Sequence, residues 1–242
     1  MRVYPIADGI WQISLAWSNV WLLWDGREAA LIDTGLQADR PALQQALQQI
    51  GVEEMQVRSV LLTHAHCDHA GNAAFFAARS ATVKLHEAET PFLAAPRRTY
   101  IPRGAGLLSR PHTALAFAIG EARYPVERIA QGLHGLTDKD LVEVPGGPLR
   151  VIASPGHTPG HIAFLRERDG VLFSGDAVLN IIPIKRVVGL SLPIRFLSSH
   201  WEQSKSSAIR LAKLAPQLLL SGHGPPLRDQ TAERMHDWAA SL

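Results

Sequence analysis

The feature that most constrains this chain is a run of metal-binding residue types at positions 63–71, which reads THAHCDHAG. Three histidines and one aspartate fall within six positions, directly after the apolar run Val60–Leu62. That apolar run predicts a strand, and a loop that leaves a strand and turns into a helix can make the four side chains converge. Imidazole nitrogens and carboxylate oxygens suit Zn²⁺ and similar ions, so the run predicts a metal centre at a strand end.

Further ligand types stand just after other predicted strands. His157, Asp176 and His223 each lie within five positions of the end of an apolar run, and Asp33 directly follows an earlier one. Taken singly, an aspartate in such a place is more often an Asx-turn residue than a ligand. Open α/β sheets, however, build their sites at the carboxyl ends of strands, so the repeated placement favours one shared site.

Apolar runs bounded by Gly, Asp or Pro alternate with helical patterns along the chain. The runs that predict strands are Val20–Trp24, Ala29–Ile32, Val60–Leu62, Thr82–Leu85, Leu149–Ile152, Ile162–Leu165, Val171–Phe173 and Leu218–Leu220. Asp25 and Gly26 lie between the first two runs and predict a hairpin turn. Helices are predicted at Leu43–Ile50, Ser204–Leu214 and Thr231–Ala240. Because strands and helices occur in both halves, we expect an α/β layered fold.

The stretch of about residues 88–135 differs from the rest of the chain. Its composition permits helix, but five prolines interrupt it and six arginines are scattered through it. We interpret it as a helical cap inserted into a single domain of residues 1–242 and standing outside the sheets. The sequence leaves open whether the cap is a solvated surface or faces the substrate.

The overall composition narrows the classes of protein. Lys and Arg exceed Asp and Glu by only two, 24 against 22, so charge gives no reason to expect a nucleic-acid partner. The single cysteine, Cys67, excludes an internal disulfide and favours a reducing compartment. The N-terminus has no apolar stretch of signal-peptide length, and no apolar run is long enough to span a bilayer. We therefore expect a cytoplasmic protein with neither a membrane nor a nucleic-acid partner.

Together these motifs resemble the metal-binding signature of the metallo-β-lactamase superfamily. The matching residues run from Asp33 to His223, so the resemblance covers most of the chain. It implies an α/β (α+β) fold, a four-layer αββα sandwich with two facing mixed sheets, helices outside and the metals at one sheet edge. It also implies two divalent metal ions as cofactors, with Zn²⁺ expected and Fe or Mn as alternatives.

The resemblance carries roles to particular residues of this sequence. The implied ligands of the first ion are His64, His66 and His157. The implied ligands of the second ion are Asp68, His69 and His223, and Asp176 would bridge the two ions. Asp68 and Asp176 would also be catalytic, Asp68 by passing a proton to the leaving group. Asp33 would orient a ligand histidine from outside the ligand set, and His161 has no ligand role in the pattern.

Particular residues indicate the branch of the family. True metallo-β-lactamases generally lack a bridging aspartate at the position of Asp176, so this chain is more similar to glyoxalase II and to lactonases. Only residues 224–242 follow the last ligand, which is too few for the helical domain that holds glutathione in glyoxalase II. Acyl-homoserine lactonases place a tyrosine shortly after the bridging aspartate, and this chain has none between Asp176 and His223.

The resemblance implies hydrolysis of a small ester, thioester or lactone by a hydroxide that bridges the two metals. The segments 15–21 and 180–184 are largely apolar, so we expect a small-molecule substrate with an apolar portion. The candidate pocket residues are Trp17, Trp21, Tyr100 and Ile182, and the sequence leaves open whether Trp21 and Ile182 belong to the core instead. Lys185, Arg186 or the cap arginines could receive a carboxylate or phosphate of the substrate.

Two other functions stay open from the sequence. One is a phosphodiesterase or nuclease that uses the same metals, and the other is a non-catalytic metal-binding protein. The sequence also leaves open whether the chain forms a homodimer.

Overall fold

The computed structural model describes residues 1–94, 125–183 and 185–242. The strands of the described residues are β1 Arg2–Ala7, β2 Ile10–Ser14, β3 Asn19–Trp24, β4 Ala29–Ile32, β5 Val57–Leu61, β6 Thr82–His86, β7 Leu133–Leu136, β8 Leu141–Val142, β9 Leu149–Ala153, β10 Ile162–Arg166, β11 Val171–Gly175 and β12 Leu218–Ser221. The α-helices are α1 Arg40–Ile50, α2 Cys67–Ala70, α3 Ala73–Ala77, α4 Thr90–Ala94, α5 Trp201–Ala212 and α6 Thr231–Ala240.

The strands of the described residues form two mixed sheets. Sheet A has the order β1-β2-β3-β4-β5-β6-β7, antiparallel from β1 to β4 and parallel from β4 to β7. Sheet B has the order β12-β11-β10-β9-β8, with only β11 and β12 parallel. The two sheets meet where β5 ends and β10 begins. Ile162 N, at the start of β10, donates to Thr63 O, just after β5, at 2.9 Å. Loops that follow β4, β5, β11 and β12 therefore gather at one edge.

Three apolar clusters separate the layers of the fold. One lies between sheet A and the helices α1 and α3, and it includes Leu43 and Phe76. A second lies between the sheets, where Trp21 and Phe173 pack ring to ring with centroids 6.3 Å apart. A third joins sheet B to α5 and α6 around Met235. Each fully buried side chain of this size contributes about 1.5–3 kcal/mol. The layer order is α-β-β-α, which confirms the predicted fold.

Local sequence signals account for several of these elements. Asp25 Oδ1 accepts from Arg27 N and Glu28 N, both at 2.8 Å, and so closes the hairpin between β3 and β4 as predicted. Helix α1 has Pro41 in its first turn and ends at Gly51, whose φ of 87° is the left-handed conformation that glycine adopts without strain.

The stretch of about residues 88–135 that is predicted as a cap ends in a strand. Leu133–Leu136 is strand β7, which pairs in parallel with β6 and so belongs to sheet A. The first part of the stretch is helical, with α4 at Thr90–Ala94. Residues 95–124, including Tyr100, lie outside the described residues. In the part of the chain that is described, no helix has the length and apolarity needed to cross a membrane.

Candidate metal centre

The predicted ligand residues all stand at the edge where the two sheets meet. Loops at the carboxyl ends of β5, β9, β11 and β12 carry most of them, and the short helix α2 carries two. In chain order they are His64 and His66 after β5, Asp68 and His69 on α2, His157 after β9, Asp176 after β11 and His223 after β12. Side chains far apart in sequence are thus brought close together, as Asp68 and His223 are at 3.6 Å.

The first group consists of three histidine rings, His64, His66 and His157. His66 Nδ1 lies 3.0 Å from His64 Nε2 and 3.0 Å from His157 Nε2. The three ring nitrogens lie within 4.8 Å of one another. Burial is the largest cause of the pKa shifts of these rings. It lowers the pKa of His64 and of His157 well below the ordinary value and that of His66 to about 4. The rings are therefore neutral at pH 7, which is the form that binds a metal.

The second group consists of Asp68, His69 and His223, and Asp176 lies between the two groups. Asp68 Oδ2 is 3.7 Å from His69 Nε2 and 3.6 Å from His223 Nε2. Asp176 Oδ2 is 3.2 Å from His223 Nε2 and 3.5 Å from His157 Nε2. A single carboxylate oxygen therefore faces both groups of ligands.

Contacts to the outer ring nitrogen hold four of the five histidines. Each of these rings turns Nε2 inward and engages Nδ1 with a group outside the centre, as metal-binding histidines do. The partners of Nδ1 are Thr63 Oγ1 for His64 (3.0 Å), Asp33 Oδ2 for His69 (2.8 Å), Ser198 Oγ for His157 (3.4 Å) and Trp17 O for His223 (2.6 Å).

Asp33 has the position that the sequence predicts for it, outside the ligand set and against a ligand histidine. It is buried, and besides His69 it accepts from Thr63 N at 2.9 Å through Oδ1. Its φ of 60° is a left-handed conformation that few residues other than glycine adopt. Asp33 therefore ties the end of β4 both to the start of the histidine run and to its last ring.

The second group needs a positive charge at its centre. The Asp33 carboxylate and the Trp17 carbonyl accept hydrogen bonds, so Nδ1 of His69 and Nδ1 of His223 carry the protons that are donated to them. When such a ring is neutral, its Nε2 presents a lone pair to the inside of the group. These lone pairs face carboxylates, and the buried atoms His69 Nε2 and Asp176 Oδ1 have no hydrogen-bond partner among the described residues. Burial lowers the pKa of both rings. The carboxylates of Asp176 and Asp68 outweigh that effect, so the pKa of His69 is raised to about 10 and that of His223 to about 8. These side chains therefore fit a divalent cation, which satisfies the lone pairs and the carboxylates together.

His161 positions Asp176 without facing the centre. The ring is buried, Ser154 Oγ lies 2.8 Å from its Nδ1, and its Nε2 accepts from Asp176 N at 3.0 Å. Burial lowers the pKa of His161 to about 3, so the ring stays neutral and its acceptor nitrogen remains available to the Asp176 backbone. This arrangement agrees with the absence of a ligand role for His161 in the family pattern.

Glu89 is a site residue that sequence reasoning missed. It lies in the short 3₁₀ turn Glu87–Glu89 and is fully buried. Its Oε2 accepts from Ala65 N at 3.0 Å, between the first two histidines, and its Oε1 accepts from Gly160 N at 2.8 Å, in the loop of His157. Burial raises the pKa of Glu89, and the backbone donors oppose that rise. One carboxylate thus fastens two ligand loops to each other.

Replacing Glu89 by alanine is expected to weaken metal binding about 10- to 100-fold, as loss of an outer partner of a ligand loop does. Two buried N–H groups would also lose their acceptors, at a cost of about 1–3 kcal/mol each in stability. Glu89→Gln keeps one acceptor oxygen, so its metal affinity and stability should lie between those of Glu89→Ala and the unaltered protein. Chelator competition and thermal unfolding measure both effects, with the exposed Glu87→Ala as control. Equal metal affinity in Glu89→Ala and Glu87→Ala would contradict the prediction.

A cleft of about 1030 Å³ opens onto the ligand groups. Its wall includes Trp17, which is 59% exposed, together with Ile181 and Pro183. The prediction for Trp21 is wrong, because this side chain is 1% exposed and belongs to the core between the sheets. Ile182, whose backbone pairs with that of Val187, is not among the described residues that line the cleft.

The family follows from a comparison of sequences. The sequence profile of the metallo-beta-lactamase superfamily matches residues 18–223, a span that contains both ligand groups and Asp176. The chain therefore belongs to the metallo-β-lactamase superfamily, as the resemblance of its motifs indicates.

Individual relatives agree with that assignment. Probable metallo-hydrolase YflN of Bacillus subtilis is 28% identical over 237 residues, which cover 93% of this chain and 87% of YflN. Hydroxyacylglutathione hydrolase GloC of Haemophilus influenzae is 28% identical over 163 residues, 66% of either chain. The crystal structure of a metallo-beta-lactamase family protein from Thermus thermophilus is similar with a TM-score of 0.74 and 29% identity, over 97% of this chain and 79% of that one. The chain is thus a metal-dependent hydrolase by family.

Proposed function

We propose that this protein is a dinuclear metal-dependent hydrolase that cleaves a small ester, thioester or lactone. The observation that carries the proposal is Asp176, whose Oδ2 faces His157 at 3.5 Å and His223 at 3.2 Å. A carboxylate shared by two ligand groups is the arrangement expected for a pair of ions. Two such ions, with Zn²⁺ favoured by these ligand types, would acidify a water molecule and polarise a carbonyl group.

The chain's own residues would supply position and proton transfer. His69 and His223 are held by Asp33 and by the Trp17 carbonyl, so their inward nitrogens are fixed before any ligand arrives. Asp68 has a side chain 25% exposed and lines the cleft, where its carboxyl group can pass a proton to the leaving atom.

Two observations support a carbonyl hydrolase over the alternatives. GloC, as its name states, hydrolyses hydroxyacylglutathione, which is a thioester. The ligand groups are also open to the cleft, whereas a purely structural metal centre would be closed. The ligand residues on the cleft wall are His66, Asp68, His157, Asp176 and His223.

Metal analysis is the first test of this proposal. We expect about two transition-metal ions per chain, loss of activity on chelation, and recovery when Zn²⁺ is restored. His66→Ala should abolish turnover and lower the metal content, while His236→Ala, an exposed position on α6, should change neither. Full turnover in the chelated protein or in His66→Ala would refute the proposal.

A substrate panel tests the reaction class. A thioester, a γ-lactone, an aryl ester and a bis-aryl phosphodiester should be assayed side by side with the metal-loaded protein. Turnover confined to the acyl substrates supports the proposal. Turnover confined to the phosphodiester would overturn it in favour of a phosphodiesterase, and a metal-loaded protein inert to all four would favour a non-catalytic metal-binding role.

A further inference from the structure

The cleft carries positive charge that no carboxylate of the described residues pairs with. Arg2, Arg186 and Arg228 come from three separate segments and all line the cleft. None of the three forms an ion pair within the described part of the chain, although other arginines there do. Among the described residues, the only carboxylates on the cleft wall are Asp68 and Asp176, which belong to the ligand groups.

Strand register places two of these arginines at a distance from the metal centre. Arg2 pairs with Ser14, which pairs with Asn19, so the three residues stand side by side on β1, β2 and β3. Asn19 N donates to Gly222 O at 2.8 Å, beside the ligand His223. Two strand spacings separate Arg2 from Asn19, so the β1 backbone runs about 10 Å from the β3 backbone, and the metal ligands lie beyond β3. Arg228 contacts the same strand at Ile6, four residues along the strand from Arg2.

Arg228 is held in place for binding an anion. Its Nη1 donates to Ile6 O at 2.9 Å, which fixes the guanidinium against β1 and leaves its other N–H groups available. Arg186 lies in a hairpin closed by Arg186 N donating to Ile182 O at 2.8 Å. Its backbone is in the left-handed conformation, with a φ of 52°, which few residues other than glycine adopt.

The rest of the cleft wall is mixed. Leu15, Ala16, Ile181, Ile194 and Leu197 are apolar, whereas Gln12, Ser14, Ser18 and Asn19 are polar. A ligand that contacts both the metal ligands and the arginines therefore has a reactive group, a body with an apolar portion, and a negative charge. Guanidinium groups bind carboxylate and phosphate in paired hydrogen bonds, so both chemistries suit the arginines.

We propose that Arg2, Arg186 and Arg228 form an anion subsite of the cleft, and that the substrate is an acyl compound with an apolar portion and a carboxylate or phosphate. This inference rests on the proposed function for the reactive end of the substrate. It rests on the cleft alone for the charged end.

Equilibrium binding of thioethers tests the subsite without any turnover. The probes are S-hexyl-coenzyme A with phosphates, S-hexylglutathione with carboxylates on the thiol side, S-(5-carboxypentyl)-N-acetylcysteamine with a carboxylate on the alkyl side, and neutral S-hexyl-N-acetylcysteamine. We expect at least one anionic probe to bind more tightly than the neutral one, and added salt to weaken only the anionic probes. Which anionic probe gains identifies the source of the charge.

The variant Arg2→Ala/Arg186→Ala/Arg228→Ala should raise the Kd of the favoured anionic probe about thirtyfold and leave that of the neutral probe unchanged. Arg210→Ala, an exposed arginine on α5, is the control and should change neither value. The inference is overturned if the neutral probe binds as tightly as every anionic probe, or if the triple variant keeps the preference. Because thioethers are not hydrolysed, failure of the proposed reaction would leave this result standing.

Discussion

Asp176→Ala is expected to lower kcat/KM by about a thousandfold or more and to reduce the metal content below that of the unaltered protein. Asp176 is the one carboxylate of the described residues within 3.5 Å of ligands in both groups, so its loss removes a shared ligand and a negative charge together. Metal-assisted stabilisation of developing charge is worth several kcal/mol, which corresponds to this range of rates. Metal analysis after dialysis and steady-state kinetics measure the two effects.

The choice of variants separates chemistry from folding. Asp237→Ala, at an exposed position of α6, should keep both activity and metal content. Asp176→Asn keeps the size of the side chain and the backbone N–H that donates to His161 at 3.0 Å, but it removes the charge. If the asparagine variant retains full turnover and two ions, Asp176 is not the bridge and the dinuclear proposal fails.

Loss of Asp176 should also change the proton affinity of the metal-free centre. Burial lowers the pKa of His223, and Asp176 is the main group that raises it, to about 8. Without that carboxylate the raised pKa should fall toward or below the ordinary value, so that the ring loses its proton at lower pH. Histidine NMR titration of the metal-free Asp176→Asn protein would show this directly.

The convergence of the predicted ligand residues could be foreseen because each lies a few residues after an apolar run. Position relative to a strand is a local property, and parallel strands then bring their ends together. The partners that hold the ligands were not predictable in this way. Trp17 O contacts His223 across 206 positions, and Glu89 contacts Gly160 across 71 positions. Such contacts depend on how the two sheets pack, which no local pattern records.

The misplacement of Trp21 and the strand at the end of the predicted cap have physical causes as well. Asn19–Trp24 is buried on both faces except at its last residue, so alternation cannot tell which side chains face the cleft. Trp21 therefore turns into the core between the sheets. Leu133–Leu136 reads LHGL, with a histidine and a glycine that weaken the strand signal, and its pairing is set by β6.

Gly222→Ala is expected to disrupt the metal centre through one methyl group. A Cβ at this position would overlap Asp176 Oδ1 and approach His69 Cε1 to 2.8 Å. The backbone cannot retreat easily, because Gly222 N donates to Gly175 O and Gly222 O accepts from Asn19 N, both at 2.8 Å. Two ligand side chains must therefore move apart.

We expect Gly222→Ala to lower kcat/KM by about a hundredfold or more, since displacing reacting groups by about 1 Å has effects of that size. Overpacking should also cost about 1–3 kcal/mol in stability. Gly189→Ala is the matched control, because a Cβ there meets only Ile182 atoms, at 3.7 Å and 3.8 Å. Kinetics, metal content and thermal unfolding compare the two variants. If Gly222→Ala behaves like Gly189→Ala, the close approach of His223's loop to Asp176 and His69 does not exist in solution. The packing of Gly222, directly after β12, against Asp176 and His69 would then not be what keeps the two groups of ligands close together.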